Sequence, residues 1–338
     1  MKKILRIATR KSQLALWQAN WVAKQLTDIF PDLEIEFLKI VTQGDKILDK
    51  SLSDIGGKGL FVKELEHALI SNQADLAVHS LKDMPALQPD GLELSVFCAR
   101  ADARDILIAR EGLATSLANM PHGAVIGTAS LRRCAQLKIF RPDLNIVPLR
   151  GNIDTRLQKL NQPDLHPAHL DGIILAAAGV QRLYNLNDNL NDNLNLNMLD
   201  NDPITEYLPI ANFLPAPGQG IVTIEVRSED VFVKDLIKKL NCPLTTFQAK
   251  AERAFNNLIG GSCDVPIAAF AEIKANQSEL VLCGQVASPD GSQQITASLS
   301  GNVQNAVDIG EQLANQILAA GGRSIIANLN LNSSLKRS

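Results

Sequence analysis

Four short stretches of this chain put charged residues where an apolar run gives way to an amphipathic one. "TRKS" places Arg10 and Ser12 there, "GTASLRR" places Thr128, Ser130, Arg132 and Arg133, and "LRGNIDTR" places Arg150, Asn152 and Arg156. "VHSLKDMP" places Lys82 and Asp83. Helix N-termini attract anions through unpaired N–H groups and the macrodipole. Arginine adds a planar fork that grips carboxylate or phosphate with two parallel hydrogen bonds. A single arginine of this kind reads first as a solvated side chain. Three similar junctions, in a chain whose formal net charge is -3, point instead to a polyanionic ligand lying across a cleft.

Asp83 is the acid among these cations. A carboxylate so surrounded stays ionised, and can accept an N–H, stabilise a developing cation or relay a proton to a leaving group. Taken alone it fits a helix cap or a Lys82 pair equally well. His79, inside "LAVHS", reads as a hydrogen-bonded core residue rather than a general base. The remaining oddity is "GGSCDVP", which holds Cys263 on a loop behind two glycines and a serine. As a bare pattern it leaves a core thiol, a metal ligand, a nucleophile and an attachment point all open. Cys98, Cys134, Cys242, Cys263 and Cys283 are widely spaced, with no CxxC pair or Cys/His cluster, so no metal is expected. The glycine-rich "DIGGKGLF" at 54–61 contains Lys58 and Phe61 and reads as a mobile lid more than a phosphate cradle.

The elements that must position these residues alternate. Strand signals at 4–9, 35–41, 74–80 and 92–99 are separated by helices at 12–30 and 60–70. Further strands at 106–109, 124–127, 145–149 and 172–177 flank helices beginning near Ser130 and Asn152. The first helix places Val22, Leu26, Ile29 and Phe30 on one face. Such alternation implies α/β units with parallel sheets and ligands at the carboxyl ends of strands. The low-complexity "NLNDNLNDNLNLNMLDND" at 185–202 is an insertion without assigned function. After residue 239 the pattern changes. An amphipathic helix at 243–259, with Leu244, Phe247, Ala251, Ala254, Phe255 and Leu258 as its stripe, precedes strands at 265–273, 279–287 and 292–299. A helix over 304–319 closes a small antiparallel α+β unit with Cys263 on its first loop.

Composition narrows the function. The net charge and the 4% of aromatic residues disfavour a nucleic-acid partner, since no aromatics interleave the arginines to stack bases. No run approaches a membrane span, and Arg6 and Arg10 interrupt the N-terminal apolar stretch, so a cytoplasmic, reduced protein is expected.

"LRIATRKSQLALWQA", "GGKGLFVKELE", "AVHSLKDMP", "GTASLRR", "LRGNIDTRLQKL", "PAPGQG" and "GGSCDVPI" occur in that order, and over nearly the whole chain they resemble the porphobilinogen deaminase (hydroxymethylbilane synthase) family. The resemblance implies two doubly wound α/β domains like periplasmic solute-binding proteins, residues 1–99 with 215–238 and residues 100–214. A small α+β domain with an antiparallel sheet, 239–338, completes the chain. It implies head-to-tail condensation of four porphobilinogen molecules with loss of ammonia, then release of linear hydroxymethylbilane. It also implies a dipyrromethane cofactor joined by a thioether to Cys263, and a monomer.

Position by position, the resemblance makes Asp83 the catalytic carboxylate. It assigns Lys82, Asp83, Thr128, Ser130, Arg132, Arg133, Arg150, Asn152 and Arg156 to the cofactor, and Arg10, Ser12, Arg150 and Arg156 to substrate. Lys58 and Phe61 fall in the lid, from about residue 42 to 59. The chain departs from the family pattern at Ala129, Ser262 and Gln43, none of them a residue placed in the mechanism. A non-catalytic polycarboxylate-binding protein would use the same two-domain cleft, but it needs neither a third domain nor Cys263.

Overall fold

The computed structural model describes residues 3–46, 62–184, 203–260 and 265–335. The chain opens with β1 (Lys3–Arg10), α1 (Gln13–Ile29), β2 (Leu33–Ile40), the single turn α2 (Gln43–Lys46), α3 (Lys63–Ile70), β3 (Leu76–Ser80) and β4 (Leu92–Phe97). It continues with β5 (Asp105–Ala109), β6 (Val125–Gly127), α4 (Leu131–Phe140), β7 (Asn145–Val147), α5 (Ile153–Asn161), β8 (Gly172–Ala176), α6 (Ala177–Tyr184) and β9 (Glu206–Tyr207). β10 (Val222–Arg227) and α7 (Val231–Ile237) precede the last group. That group is α8 (Pro243–Ile259), β11 (Ile267–Ile273), β12 (Glu279–Ala287), β13 (Gln294–Asn302), α9 (Ala306–Ile317) and α10 (Arg323–Leu335).

Three sheets result. The first has the order β2-β1-β3-β10-β4, the second β7-β6-β8-β5-β9, and the third β11-β12-β13. The first two share one plan: three parallel strands, then a reversed strand. β10 runs antiparallel to β3 and β4, and β5 antiparallel to β8 and β9. The purely parallel sheets expected from the βα alternation are therefore mixed. The reason lies in the connections, because each reversed strand arrives directly from the other sheet without a helical crossover returning it to the same end. The third sheet is antiparallel throughout.

The two chain crossings between the first and second sheets, at 98–104 and 208–221, run side by side. The Ala101 N–H donates to the Gly220 carbonyl at 3.1 Å. Gly220 has φ +87, and a Cβ there would lie 2.7 Å from the Ala101 oxygen. Only glycine fits this left-handed, close-packed position.

α1 begins at Ser12, whose hydroxyl accepts the Ala15 N–H at 3.4 Å. It buries Ala19, Val22, Ala23 and Leu26 against the first sheet. Ile29 is 43% exposed and Phe30 half-buried, because the helix ends there and the chain turns away into β2. α8 starts with proline in its first turn and stops at Gly260, which is left-handed. Its buried stripe steps by four residues through Ala251, Phe255 and Ile259. Leu258, one position round the helix, is 40% exposed. Burying Phe255 contributes roughly 1.5–3 kcal/mol. A helix not expected from the sequence follows α9: the chain kinks at Gly321, which has φ +114, and re-enters a helix as α10, whose Ile325 joins the core of the third unit.

Candidate functional site

The carboxyl ends of β1, β3, β6 and β7 carry the residues that the sequence pattern singled out. Arg10 is the last residue of β1, and Lys82 and Asp83 lie in a 3-10 turn, Leu81–Asp83, directly after β3. Thr128 and Ser130 follow β6, and Arg150 follows β7. The strand-to-helix junctions are built by local capping. Ser130 accepts the Arg133 N–H at 3.5 Å and so starts α4, while Asn152 accepts the Thr155 N–H at 2.8 Å and starts α5. Thr128 is buried, and its hydroxyl oxygen accepts the Ser130 N–H at 3.3 Å. Arg156 anchors its Nε on the Gly151 carbonyl at 2.8 Å.

Arg132 and Arg133 sit differently from the others. Both are buried, and both pair with the fully buried Asp105 at the start of β5. Arg132 Nη1 donates to Asp105 Oδ2 at 2.6 Å and to the Leu214 carbonyl at 2.7 Å. Arg133 donates Nη2 to Asp105 Oδ1 at 2.7 Å and Nη1 to the Ile174 carbonyl at 2.8 Å. Burial raises the Asp105 carboxyl, but the two guanidinium groups outweigh it and hold it well below the usual carboxylate range. Sequence reasoning missed Asp105. It also missed Gln219, whose side-chain amide donates to Ala103 O at 2.8 Å and Asp105 Oδ1 at 3.1 Å. Gln219 Oε1 lies 3.5 Å from Lys82 Nζ. "PAPGQG" was visible as a motif, but its glutamine gave no sign of the lysine it would meet.

The cations form one electrostatic group. Lys82 is exposed to solvent, yet protein surrounds it closely enough that lost hydration pushes its ammonium down to about 8; Asp83 and Asp105 oppose that shift, and Arg133 and Arg132 add to it. Arg156 is pushed down to about 10 by burial, then by Arg133 and Arg150, against Asp83. These mutual effects bring Lys82, Asp83, Arg132, Arg133, Arg150 and Arg156 to one site. Its positive charge repels itself, which is the arrangement an anionic ligand relieves. Asp83 is exposed and acts on both Lys82 and Arg156. Arg10 and Ser12 lie at the neighbouring β1–α1 junction. Cys263, Lys58, Phe61, most of the lid and the 185–202 insertion lie outside the described residues.

Behind β3, His79 is buried with Nε2 3.1 Å from Glu225 Oε2, which agrees with its reading as a core residue. The third unit grips this region from α8. Glu252, fully buried, accepts Arg100 and the Gly218 N–H at 2.6 Å. Arg253 donates to the carbonyl oxygens of Pro85 and Ala86 at 3.1 and 2.8 Å, just beyond Asp83.

Comparison with known proteins gives the following. Residues 5–235 match the family model "Porphobilinogen deaminase, dipyromethane cofactor binding domain", and residues 246–319 match "Porphobilinogen deaminase, C-terminal domain". The chain is 42% identical over 326 residues to the porphobilinogen deaminase of Carboxydothermus hydrogenoformans, covering 96% of this chain and 97% of that one. It is 45% identical over 325 residues to the porphobilinogen deaminase of Geotalea uraniireducens, covering 96% and 94%. Among solved structures it is similar to the periplasmic aliphatic sulphonate binding protein SsuA from Escherichia coli, with TM-score 0.37, 12% identity, and coverage of 76% of this chain and 70% of that chain.

Proposed function

The chain belongs to the porphobilinogen deaminase family, and from that premise we propose how its residues divide the work of the family's reaction. The activity is that of a transferase. It condenses four porphobilinogen molecules head to tail, releases ammonia at each step, and frees linear hydroxymethylbilane by hydrolysis. The observation that carries the division of roles is the exposed carboxylate of Asp83, which acts on Lys82 and Arg156, two cations that themselves feel Arg133.

The dipyrromethane cofactor fits these residues. A two-pyrrole group with acetate and propionate arms brings carboxylates, and the site gathers cations of which Lys82 and Arg156 are depressed first by lost hydration and then by their cationic neighbours. Cys263 would hold it by a thioether, with Lys82, Thr128, Ser130, Arg132, Arg133, Arg150, Asn152 and Arg156 around its arms. Bound, the group supplies the acceptor ring to which each new pyrrole is added.

This chain's own residues then act as follows. Arg10, Ser12, Arg150 and Arg156 bind the acidic arms of incoming porphobilinogen and orient its aminomethyl group. Asp83 accepts a pyrrole N–H, assists departure of ammonia, and stabilises the positive charge left on the substrate. Arg132 and Arg133 are stiffened by Asp105, so their remaining charge is aimed without rearrangement. A tethered acceptor makes each addition effectively intramolecular. Lys58 and Phe61 would belong to the cover over this site.

The same reading makes the protein a cytoplasmic monomer without a nucleic-acid partner, supported by its mildly acidic charge and sparse aromatics. No helix among the described residues is long and apolar enough to cross a membrane. Asp83→Asn tests the assignment. It should fold and retain the primer while turnover falls by at least about a hundredfold, measured as ammonia and hydroxymethylbilane formed. Near-normal turnover would remove Asp83 from the mechanism.

A further inference from the structure

The third unit meets the rest of the chain in two different ways. α8 is fastened by charge: fully buried Glu252 holds Arg100 of the first crossing and the Gly218 N–H of the second, and Arg253 reaches the carbonyls of Pro85 and Ala86 beyond Asp83. The turn between β12 and β13 meets the second unit by shape. That turn is tied to itself. The Gly291 N–H donates to the Ser288 carbonyl at 2.9 Å, and the Asp290 carboxylate accepts the Ser288 hydroxyl at 2.5 Å, the Ser292 N–H at 3.1 Å and the Ser292 hydroxyl at 2.9 Å.

Gly291 presses this stiff turn onto α4. It has φ +73, and a Cβ there would lie 2.9 Å from Lys138 Cβ, 3.0 Å from Ile139 N and 3.1 Å from Ala135 O. Ala135, Lys138 and Ile139 are spaced i, i+3 and i+4, which is one face of a helix. Only a residue without a side chain comes this close in left-handed backbone. α4 carries Arg132 and Arg133 in its first turn. Their pairing with Asp105, and the hydrogen bonds of Gln136 with the Leu214 carbonyl at 2.9 Å and N–H at 2.7 Å, lock α4 to the second unit. Whatever seats α4 therefore seats Arg150 and Arg156 with it.

We infer that Gly291 is a positioning residue: its turn is a stop on which α4 rests, and through α8 that stop sets how far the second unit's cations stand from Asp83. The inference rests on the activity proposed above. A displaced stop leaves each cation in place on its own unit, so substrate is still bound. The bound aminomethyl group then no longer meets Asp83 in register, and a misplacement of about 1 Å can cost on the order of a hundredfold in rate.

A second left-handed glycine separates the contact from backbone strain. Gly112 has φ +71 with nothing within 4 Å of a Cβ built on it, so Gly112→Ala carries the strain of Gly291→Ala without the collision. In the full-length holoenzyme, with primer occupancy checked by mass, Gly291→Ala should lower kcat at least about tenfold and leave KM for porphobilinogen within about twofold. Gly112→Ala should keep the wild-type kcat. If Gly291→Ala does not fold, one glycine inserted after Gly291 moves the turn without straining a side chain and should give the same split. Hydrogen exchange in the 131–140 peptide reads the seat without turnover, and should quicken in either variant of the turn. Unchanged exchange would mean that the turn does not rest on α4. Quickened exchange with a wild-type kcat would mean that the seat does not serve the reaction. Either result overturns the inference, whereas a wild type that forms no bilane would overturn the activity and leave exchange to decide the seat.

Discussion

At the scale of single residues, the site is a set of cations, two of them paired with the buried Asp105, with the exposed Asp83 acting on Lys82 and Arg156. Lys82 shows what this does to chemistry. Its ammonium, pushed down to about 8, is charged below that pH and can then pair with a carboxylate. As pH rises through about 8 the charge is lost, well before the 10.5 of an ordinary lysine. Binding of a polycarboxylate to the primer-free protein should therefore weaken on an alkaline limb near 8, the primer's own carboxylates raising Lys82 once attached. Lys82→Arg should move that limb upward, and an unchanged limb would detach it from Lys82. Asp105 makes the complementary case for stability. Its carboxyl is held low in the folded chain, so its contribution is present above the unfolded value near 3.8 and lost as pH falls through the folded one. Asp105→Asn leaves Arg132 and Arg133 buried without a counter-charge and should cost about 3–5 kcal/mol at neutral pH. Denaturant midpoints should show the gap to the wild type narrowing in acid. Ser12, Ser130 and Asn152 were legible in the sequence because capping is a contact over three residues. Asp105 was not, because its partners stand 27 and 28 positions away and only the fold brings them to it.

At the scale of elements, the alternating pattern located β1 to β8 and α1, α3, α4 and α5, since apolar periodicity is local, but it did not mark the short α2, α6, α7 and β9. It could not show that β5 and β10 are reversed. Strand direction depends on where the connection leads, and these two strands look like any other apolar run. α10 was hidden for another reason. Gly321, with φ +114, breaks the helical run that α9 begins, yet the chain re-enters a helix directly beyond this kink and Ile325 finds the core. The two crossings that feed the reversed strands are held against each other at Gly220. Gly220→Ala would set a Cβ 2.7 Å from the Ala101 oxygen in a left-handed backbone. It should lower stability by more than about 1 kcal/mol, read as a drop in Tm with the primer still attached. A variant as stable as the wild type would mean that the crossings separate without cost.

At the scale of the molecule, two similar mixed sheets present their strand ends to one cationic site, and a third, antiparallel unit reaches back to that site through α8. Glu252 and Arg253 contact the residues around Gly218 and those just beyond Asp83. The unit that bears the loop cysteine thus also braces the segment just beyond Asp83, the carboxylate proposed as catalytic. That joint role is what separates a primed polymerising enzyme from a polycarboxylate-binding cleft, and it turns on Cys263. Intact-protein mass spectrometry with peptide mapping of 260–266 tests it most directly, on wild type and Cys263→Ser after incubation with porphobilinogen. The account predicts an added mass of two porphobilinogen-derived units on the Cys263 peptide of the wild type, and an unmodified, inactive Cys263→Ser protein. An unmodified wild-type chain that forms no bilane, or an adduct that stays on the Cys263→Ser variant, would contradict it.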